Sequence, residues 1–67
     1  HNVFCIRSKG KKLIYNEIPE TWEYYDILLD PKEENNLYDA SLSSVKNLKK
    51  LLINYMQENN IDSSLIK

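Results

Sequence analysis

The side chains that could take part in chemistry are few in this chain and are widely spaced. Cys5 is the one cysteine and His1 the one histidine of the 67 residues, so together they cannot supply the four ligands of a structural zinc site. A disulfide within the chain is excluded because there is no second cysteine. Glu33 and Glu34 are adjacent in a turn-like segment and do not suggest an acid–base pair. With Gly10 as the one glycine, no glycine-rich loop can hold a phosphate.

Basic and aromatic side chains cluster in two short segments. The basic group consists of Arg7, Lys9, Lys11 and Lys12. It could bind an anion or a nucleic acid, but a charged hairpin tip is usually only solvated, and the net charge of −1 gives no general attraction to nucleic acid or anionic lipid. Trp22, Tyr24 and Tyr25 could stack on a sugar or a base, but in a strand we expect them in the core or at an interface. No apolar run is long enough to cross a membrane. We therefore predict no nucleic-acid and no membrane partner.

Strands are predicted to position these residues. Residues 3–7 are apolar and rich in strand-forming types, and residues 12–16 return as a second strand. Gly10 lies between them, where a tight turn needs a positive φ. Residues 22–29 are the third predicted strand, which we expect to end at Asp30-Pro31 because the residue before proline avoids the helical region. Alternation places Trp22, Tyr24 and Leu28 on one face of this strand and Tyr25, Ile27 and Leu29 on the other.

One amphipathic helix is predicted after the strands. Apolar residues recur at three- and four-residue steps in the segment 42–58. The stripe consists of Leu42, Val45, Leu48, Leu51, Leu52, Tyr55 and Met56. We expect Ser41, Ser43 or Ser44 to cap its first turn. The pattern does not determine the order of the tail, about residues 61–67.

These elements predict that residues 1–67 form one small α+β domain. It consists of a small antiparallel sheet of about three strands, with one long C-terminal amphipathic helix packed on one face. The strands are apolar on both faces, with Val3 and Cys5 opposite Phe4 and Ile6, and one helix covers only one face. We therefore expect Cys5 to be buried and the second face to be covered by something outside this chain. The isolated chain is expected to self-associate or to bind a hydrophobic dye.

Residues 25–37 carry a resemblance to a known family. They read Tyr-Asp-Ile-Leu-Leu-Asp-Pro-Lys-Glu-Glu-Asn-Asn-Leu. This resembles the C-terminal signature of the sulfatase family, Y-D-[L/I]-x-x-D-P-x-E-x-x-N-L, with every fixed position filled. The preceding strands and the closing helix are also similar to that family. From the residues alone, the segment is a strand end and a turn, in which Asp30 and Asn36 satisfy backbone amides and Leu37 pins the loop to the core.

The resemblance implies a C-terminal subdomain of a larger sulfatase, a member of the alkaline-phosphatase superfamily. Its role would be to brace the catalytic domain of the same parent chain. Because the first residue, His1, is not methionine, we expect this chain to be a piece of a longer protein. Sulfatases hydrolyse sulfate esters with a formylglycine, made from the first residue of Cys/Ser-x-Pro-x-Arg, and with a divalent cation, usually calcium. Cys5 lacks the Pro and the Arg of that motif. Calcium and formylglycine are therefore implied for the parent, and no catalytic, cofactor-binding or metal-binding residue is predicted here.

Two alternatives stay open. The chain could be the same subdomain of a related phosphonate or phosphate ester hydrolase, which the nucleophile motif of the parent would distinguish. It could also be an independent small protein-binding module that uses the uncovered sheet face. Arg7 interrupts an apolar strand, and we expect it to pair with a carboxylate such as Asp26. The sequence does not indicate a cellular compartment.

Overall fold

Three strands and one long helix make up the computed structural model, which describes residues 2–66. The elements are β1 Val3–Ser8, β2 Lys11–Asn16, β3 Thr21–Asp26 and α1 Ser43–Glu58, followed by a short 3-10 turn, Ser63–Leu65. The sheet is antiparallel, with β2 between β1 and β3. The predicted α+β fold, a three-stranded antiparallel sheet with a helix on one face, is therefore confirmed.

A two-residue turn joins β1 to β2. Lys9 and Gly10 have φ angles of 52° and 77°, the combination of a type I′ hairpin turn. A Cβ atom on Gly10 would lie 2.6 Å from Cδ1 of Leu28, but that side chain is exposed and can move aside, so the positive φ is the reason for glycine here. The positive φ predicted for Gly10 is confirmed.

The third strand is shorter than predicted. It ends at Asp26 and not at Leu29, although Ile27, Leu28 and Leu29 are all strand-forming residues. The reason is the side chain of Asp26, whose Oδ1 accepts hydrogen bonds from the backbone N–H groups of Leu28 and Leu29, each at 3.2 Å. A side chain that binds the amides two and three residues ahead closes a turn, which removes those amides from the ladder.

The core lies between the sheet and α1. Its buried side chains on this face come from β2, β3 and the helix: Leu13, Tyr15, Tyr24, Val45, Leu48, Leu52 and Met56. Ile6, Trp22 and Tyr38 pack against this group and are partly buried. The remaining members of the apolar helix stripe, Leu42, Leu51 and Tyr55, are exposed, so the stripe is wider than the surface that the sheet covers.

The helix starts without the serine cap that the sequence predicts. Its N-cap is Leu42, which makes no side-chain capping hydrogen bond. Two of the three candidate serines are engaged elsewhere: Ser41 Oγ donates to Asp39 Oδ1 at 2.7 Å, and Ser44 Oγ accepts from Tyr24 Oη at 2.8 Å. At the other end, Asn60 has a φ of 57°, which is typical of the residue that ends a helix. In the part of the chain that the structure describes, no helix is long and apolar enough to span a bilayer.

Candidate functional site

The loop after β3 carries the sulfatase-like pattern, and Asp26 anchors its start. Oδ1 of Asp26 closes the turn at Leu28 and Leu29, while Oδ2 forms a 2.6 Å ion pair with Lys11 Nζ. The hydrogen bond from Lys11, with that from the Leu29 amide, lowers the pKa of Asp26 below its ordinary value. The pKa of Lys11 is raised in turn, chiefly by its hydrogen bond to Asp26. Asp26 is therefore a structural carboxylate with both oxygens in use.

Asp30 forms the second half of the loop. Its Oδ1 accepts from Glu34 N at 3.1 Å and its Oδ2 from Asn35 N at 3.0 Å. Its carbonyl oxygen accepts from Glu33 N at 3.0 Å, and Glu33 has a positive φ of 54°. The amides of the turn thus find their acceptors within the loop, as predicted for Asp30.

Asn36 covers the outer edge of β3. Its Oδ1 accepts hydrogen bonds from Tyr24 N and Tyr38 N, each at 3.0 Å, and its Nδ2 donates to Trp22 O at 3.2 Å. Leu37 N adds a bond to Tyr24 O at 2.8 Å. The side chain of Asn36 therefore acts as a short piece of neighbouring strand, which confirms the predicted role in satisfying backbone amides.

Tyr38, and not Leu37, pins the loop to the core. The side chain of Leu37 is 51% exposed, so the role predicted for it is wrong. The ring of Tyr38 stacks on Trp22 with a centroid distance of 5.9 Å. Lys49 Nζ donates to Tyr38 Oη at 2.7 Å and lies 4.5 Å from the centroid of Trp22. This group of an aromatic pair and a lysine fastens the loop to α1.

The face of the sheet away from α1 has a polar half that is satisfied within the chain. Tyr25 is 6% exposed, and its hydroxyl donates to Glu23 Oε1 at 2.5 Å. Asn16 Nδ2 donates to Glu23 Oε2 at 2.8 Å. The hydrogen bond to Glu23 raises the pKa of Tyr25 to about 12, and the bonds from Tyr25 and Asn16 lower the pKa of Glu23. Lys12 Nζ contacts Glu33 Oε2 at 3.0 Å, which holds the loop over this half of the face.

The other half of that face is apolar and open. Val3 is 56% exposed, Cys5 is exposed, and Ile14, which pairs with Cys5, is partly buried. The burial predicted for Cys5 is therefore wrong. Cys5 lies on the sheet face away from the helix. The loop after β3 covers the part of this face that β3 forms and leaves the part formed by β1, with Cys5, exposed. We refer to Val3, Cys5 and Ile14 as the open face.

Arg7 does not pair with Asp26. Arg7 pairs in register with Lys12, whereas Asp26 pairs with Lys11, so the two side chains lie on opposite faces of the sheet. Of the four basic residues near the first turn, Lys11 and Lys12 have carboxylate partners, and within residues 2–66 no ion pair is found for Arg7 or Lys9. Trp22, Tyr24 and Tyr25 lie in or against packed regions, as predicted.

A shallow cleft of about 390 Å³ lies between the hairpin tip and the start of α1. It is lined by Ser8, Lys9, Lys11, Ser44, Asn47, Leu48 and Leu51. Two of its polar groups are already engaged, since Lys11 binds Asp26 and Ser44 binds Tyr24. A nucleophile beside a base is the arrangement that covalent catalysis needs, and the lining residues do not provide one.

The described residues do not fit the cofactors of a sulfatase. Within residues 2–66 no group of three or more His, Cys, Asp or Glu side chains could hold a metal ion. Cys5 is followed by Ile6, Arg7 and Ser8, which do not form the motif for formylglycine.

Sequence reasoning missed the Tyr25–Glu23 bond and the edge-covering role of Asn36. It also missed the two lysine–carboxylate ion pairs and the packing of Lys49 on Trp22 and Tyr38. The alternation of Glu23 and Tyr25 on one face was the available signal for the Tyr25–Glu23 bond.

Comparisons with protein-family models, with curated proteins and with solved structures find no match to this chain.

Proposed function

We propose that this chain is a non-catalytic C-terminal subdomain of a sulfatase that braces the catalytic domain of the same parent chain. The proposal rests on the structural roles of the polar residues at the fixed positions of the sulfatase-like pattern. Asp26, Asp30 and Asn36 each bind backbone amides, and together they build the turn and cover the edge of β3. Residues that stabilise a turn in this way are typical of a structural motif shared by a family. It does not mark a catalytic centre, and the formylglycine and calcium belong to the proposed parent.

The open face supplies the surface through which the subdomain would brace its partner. Val3 and Cys5 are exposed and Ile14 is only partly buried, so residues 2–66 do not fully cover this apolar strip. Leu28 and Leu29, at the unconstrained positions of the pattern, are 79% and 85% exposed. Large apolar side chains that remain outside a core are typical of a surface that another domain buries.

The same architecture supports two other candidates. A related phosphonate or phosphate ester hydrolase would use the subdomain in the same way, with a different nucleophile in its catalytic domain. An independent protein-binding module would use the open face for a separate protein. The coding sequence upstream of His1 separates all three, because a sulfatase carries Cys/Ser-x-Pro-x-Arg there.

The decisive experiment joins the upstream coding sequence to this chain and expresses the longer protein. We expect hydrolysis of 4-methylumbelliferyl sulfate by the longer protein and none by the present chain alone. Ile14→Asp in the longer protein is expected to lower its melting temperature and its yield of active enzyme, because a charge would then face an apolar partner. Asn54→Asp, on the exposed side of α1, is the matched control. An upstream sequence without a nucleophile motif contradicts the proposal.

Dye binding tests the open face in the present chain. We expect an anilinonaphthalene sulfonate dye to become fluorescent with this chain and less so with Ile14→Asp. Equal fluorescence of the two proteins would show that the dye binds elsewhere and would remove this support.

A further inference from the structure

The apolar stripe of α1 extends beyond the surface that the sheet covers. Leu48 belongs to the core and is 4% exposed, whereas Leu51, about one turn further along the same side of the helix, is 44% exposed. Both leucines line the cleft of about 390 Å³ between the hairpin tip and the start of α1. This volume lies within the range of about 300–1,000 Å³ that is usual for small-molecule sites. The uncovered part of the stripe therefore forms the apolar wall of a concave surface.

The hairpin forms the opposite wall of the cleft, which is polar. Ser8 and Lys11 pair in register at the end of the two strands. Ile6 and Leu13, two residues away on the same strands, pack in the core against α1. Alternation therefore directs Ser8 and Lys11 toward the helix as well. Lys9, in the turn between the strands, also lines the cleft.

The cleft carries one uncompensated positive charge. Lys11 is neutralised by its 2.6 Å ion pair with Asp26. Lys9 forms no ion pair within residues 2–66, and no acidic side chain is among the residues that line the cleft. A monoanion would balance the charge of Lys9, whereas a cation would be repelled and a polyanion would bring charge that the lining does not balance.

Two neutral polar side chains of the lining are available to a ligand. Ser44 is engaged, since its hydroxyl accepts from Tyr24 Oη. For the side chains of Ser8 and Asn47, by contrast, no hydrogen bond is found within the described residues 2–66. A hydroxyl and a primary amide can both donate to an anionic oxygen, and here they would do so without breaking a hydrogen bond of the fold.

We propose that this cleft binds a small amphiphilic monoanion, a carboxylate at the end of an apolar chain. The carboxylate lies against the ammonium group of Lys9 and accepts hydrogen bonds from Ser8 and Asn47, and the apolar chain packs on Leu48 and Leu51. The cleft is on the helix side of the sheet and the open face is on the other side. Ligand binding here therefore goes beyond the proposed function and does not depend on it.

Titration with sodium octanoate, followed by ¹⁵N–¹H NMR of the present chain, tests the site. The cleft is shallow and has one uncompensated charge, so we expect a Kd on the order of 1 mM. The saturable shifts are expected at the amides of the hairpin tip and of residues 44–51. Acetate, which lacks the chain, and octanol, which lacks the charge, are expected to bind at least about fivefold more weakly.

Lys9→Asn removes the charge and keeps a residue that is favoured in a type I′ turn, so the fold is retained. We expect the Kd for octanoate to rise about fivefold, as is usual for the loss of one solvent-exposed ionic contact. Lys32→Asn, at an exposed position of the loop after β3, is the matched control and is expected to leave the Kd unaltered. Circular dichroism checks the fold of each variant.

Leu51→Asn removes the apolar wall and is expected to raise the Kd for octanoate roughly tenfold. Leu29→Asn makes the same change at a leucine outside the cleft and is expected to have no effect. The proposal is overturned if the shifts do not saturate, or if they cluster at Val3, Cys5 and Ile14. It is equally overturned if Lys9→Asn and Leu51→Asn bind octanoate as tightly as the native chain.

Discussion

The hydroxyl of Tyr25 donates to Oε1 of Glu23 at 2.5 Å, two residues earlier on the same face of β3. Tyr25 is the first residue of the sulfatase-like pattern and is nearly fully buried under the loop that the pattern forms. Asn16 completes the carboxylate's hydrogen bonds from β2. The sheet face away from α1 is thereby divided into a polar half that is satisfied within the chain and an apolar half over β1. The second half is the surface that we assign to a partner.

Replacing Tyr25 by Phe tests the polar half. We expect Tyr25→Phe to lower the free energy of unfolding by about 1–2 kcal/mol at neutral pH, because a hydrogen bond to a carboxylate is lost. Tyr55→Phe, on the exposed side of α1, is the control and is expected to change little. Urea unfolding followed by circular dichroism measures both, and equal effects would contradict the role given to Tyr25.

The same pair predicts the pH dependence of stability. The pKa of Tyr25 is raised from 10.0 to about 12, so its contribution is fully present below pH 10 and is lost as the pH rises toward 12. The pKa of Glu23 is lowered from 4.5, so its contribution is present above that value and is lost as the pH falls below it. We expect the free energy of unfolding of Tyr25→Phe to fall less steeply than that of the native chain at both acid and alkaline pH. A tyrosinate absorbance titration in which all five tyrosines ionise together near pH 10 contradicts the raised pKa.

Asn36→Ala tests the covering of the β3 edge. The change removes the acceptor of Tyr24 N and Tyr38 N and the donor to Trp22 O, and we expect a loss of about 2–3 kcal/mol in unfolding free energy. Asn35→Ala is the adjacent control, since no hydrogen bond of the Asn35 side chain is found among the described residues. Hydrogen exchange at Tyr24 N is expected to accelerate in Asn36→Ala alone. Unchanged exchange there contradicts the assigned bond.

Lys49→Met tests the fastening of the loop to α1. Met keeps most of the apolar stem but removes the charge over Trp22 and the hydrogen bond to Tyr38. We expect a loss of roughly 1–2 kcal/mol, with a change in the fluorescence of Trp22. Lys50→Met, at the exposed neighbouring position, provides the comparison. If both variants unfold at the same urea concentration, the contact does not stabilise the fold.

Secondary-structure elements in which apolar residues recur at a regular spacing could be predicted from the sequence. The hairpin around Gly10 and the helix stripe follow from alternation and from three- and four-residue spacing, and both are found. The end of β3 could not be predicted in this way. The turn depends on Asp26 binding two amides, and Ile27-Leu28-Leu29 has the composition of a strand.

Contacts between elements were harder to predict than the elements themselves. Arg7 and Asp26 were expected to pair, but the register places them on opposite faces, and a register shift of one residue exchanges the two faces. The exposure of Cys5 also depends on where the loop after β3 lies. Because the loop reaches the sheet through Asn36 and the ion pair of Lys12 with Glu33, it covers Tyr25 and leaves β1 open.

The rate of alkylation of Cys5 measures the central claim most directly, because this thiol lies on the open face. The comparison is between the present chain, at a concentration where it is monomeric, and the native longer protein, with N-ethylmaleimide and detection by mass spectrometry. If the open face docks on a catalytic domain, Cys5 reacts rapidly in the present chain and about 100-fold more slowly in the longer protein, where labelling requires local opening. Equal rates in the two proteins contradict the claim that this subdomain braces its parent through the open face.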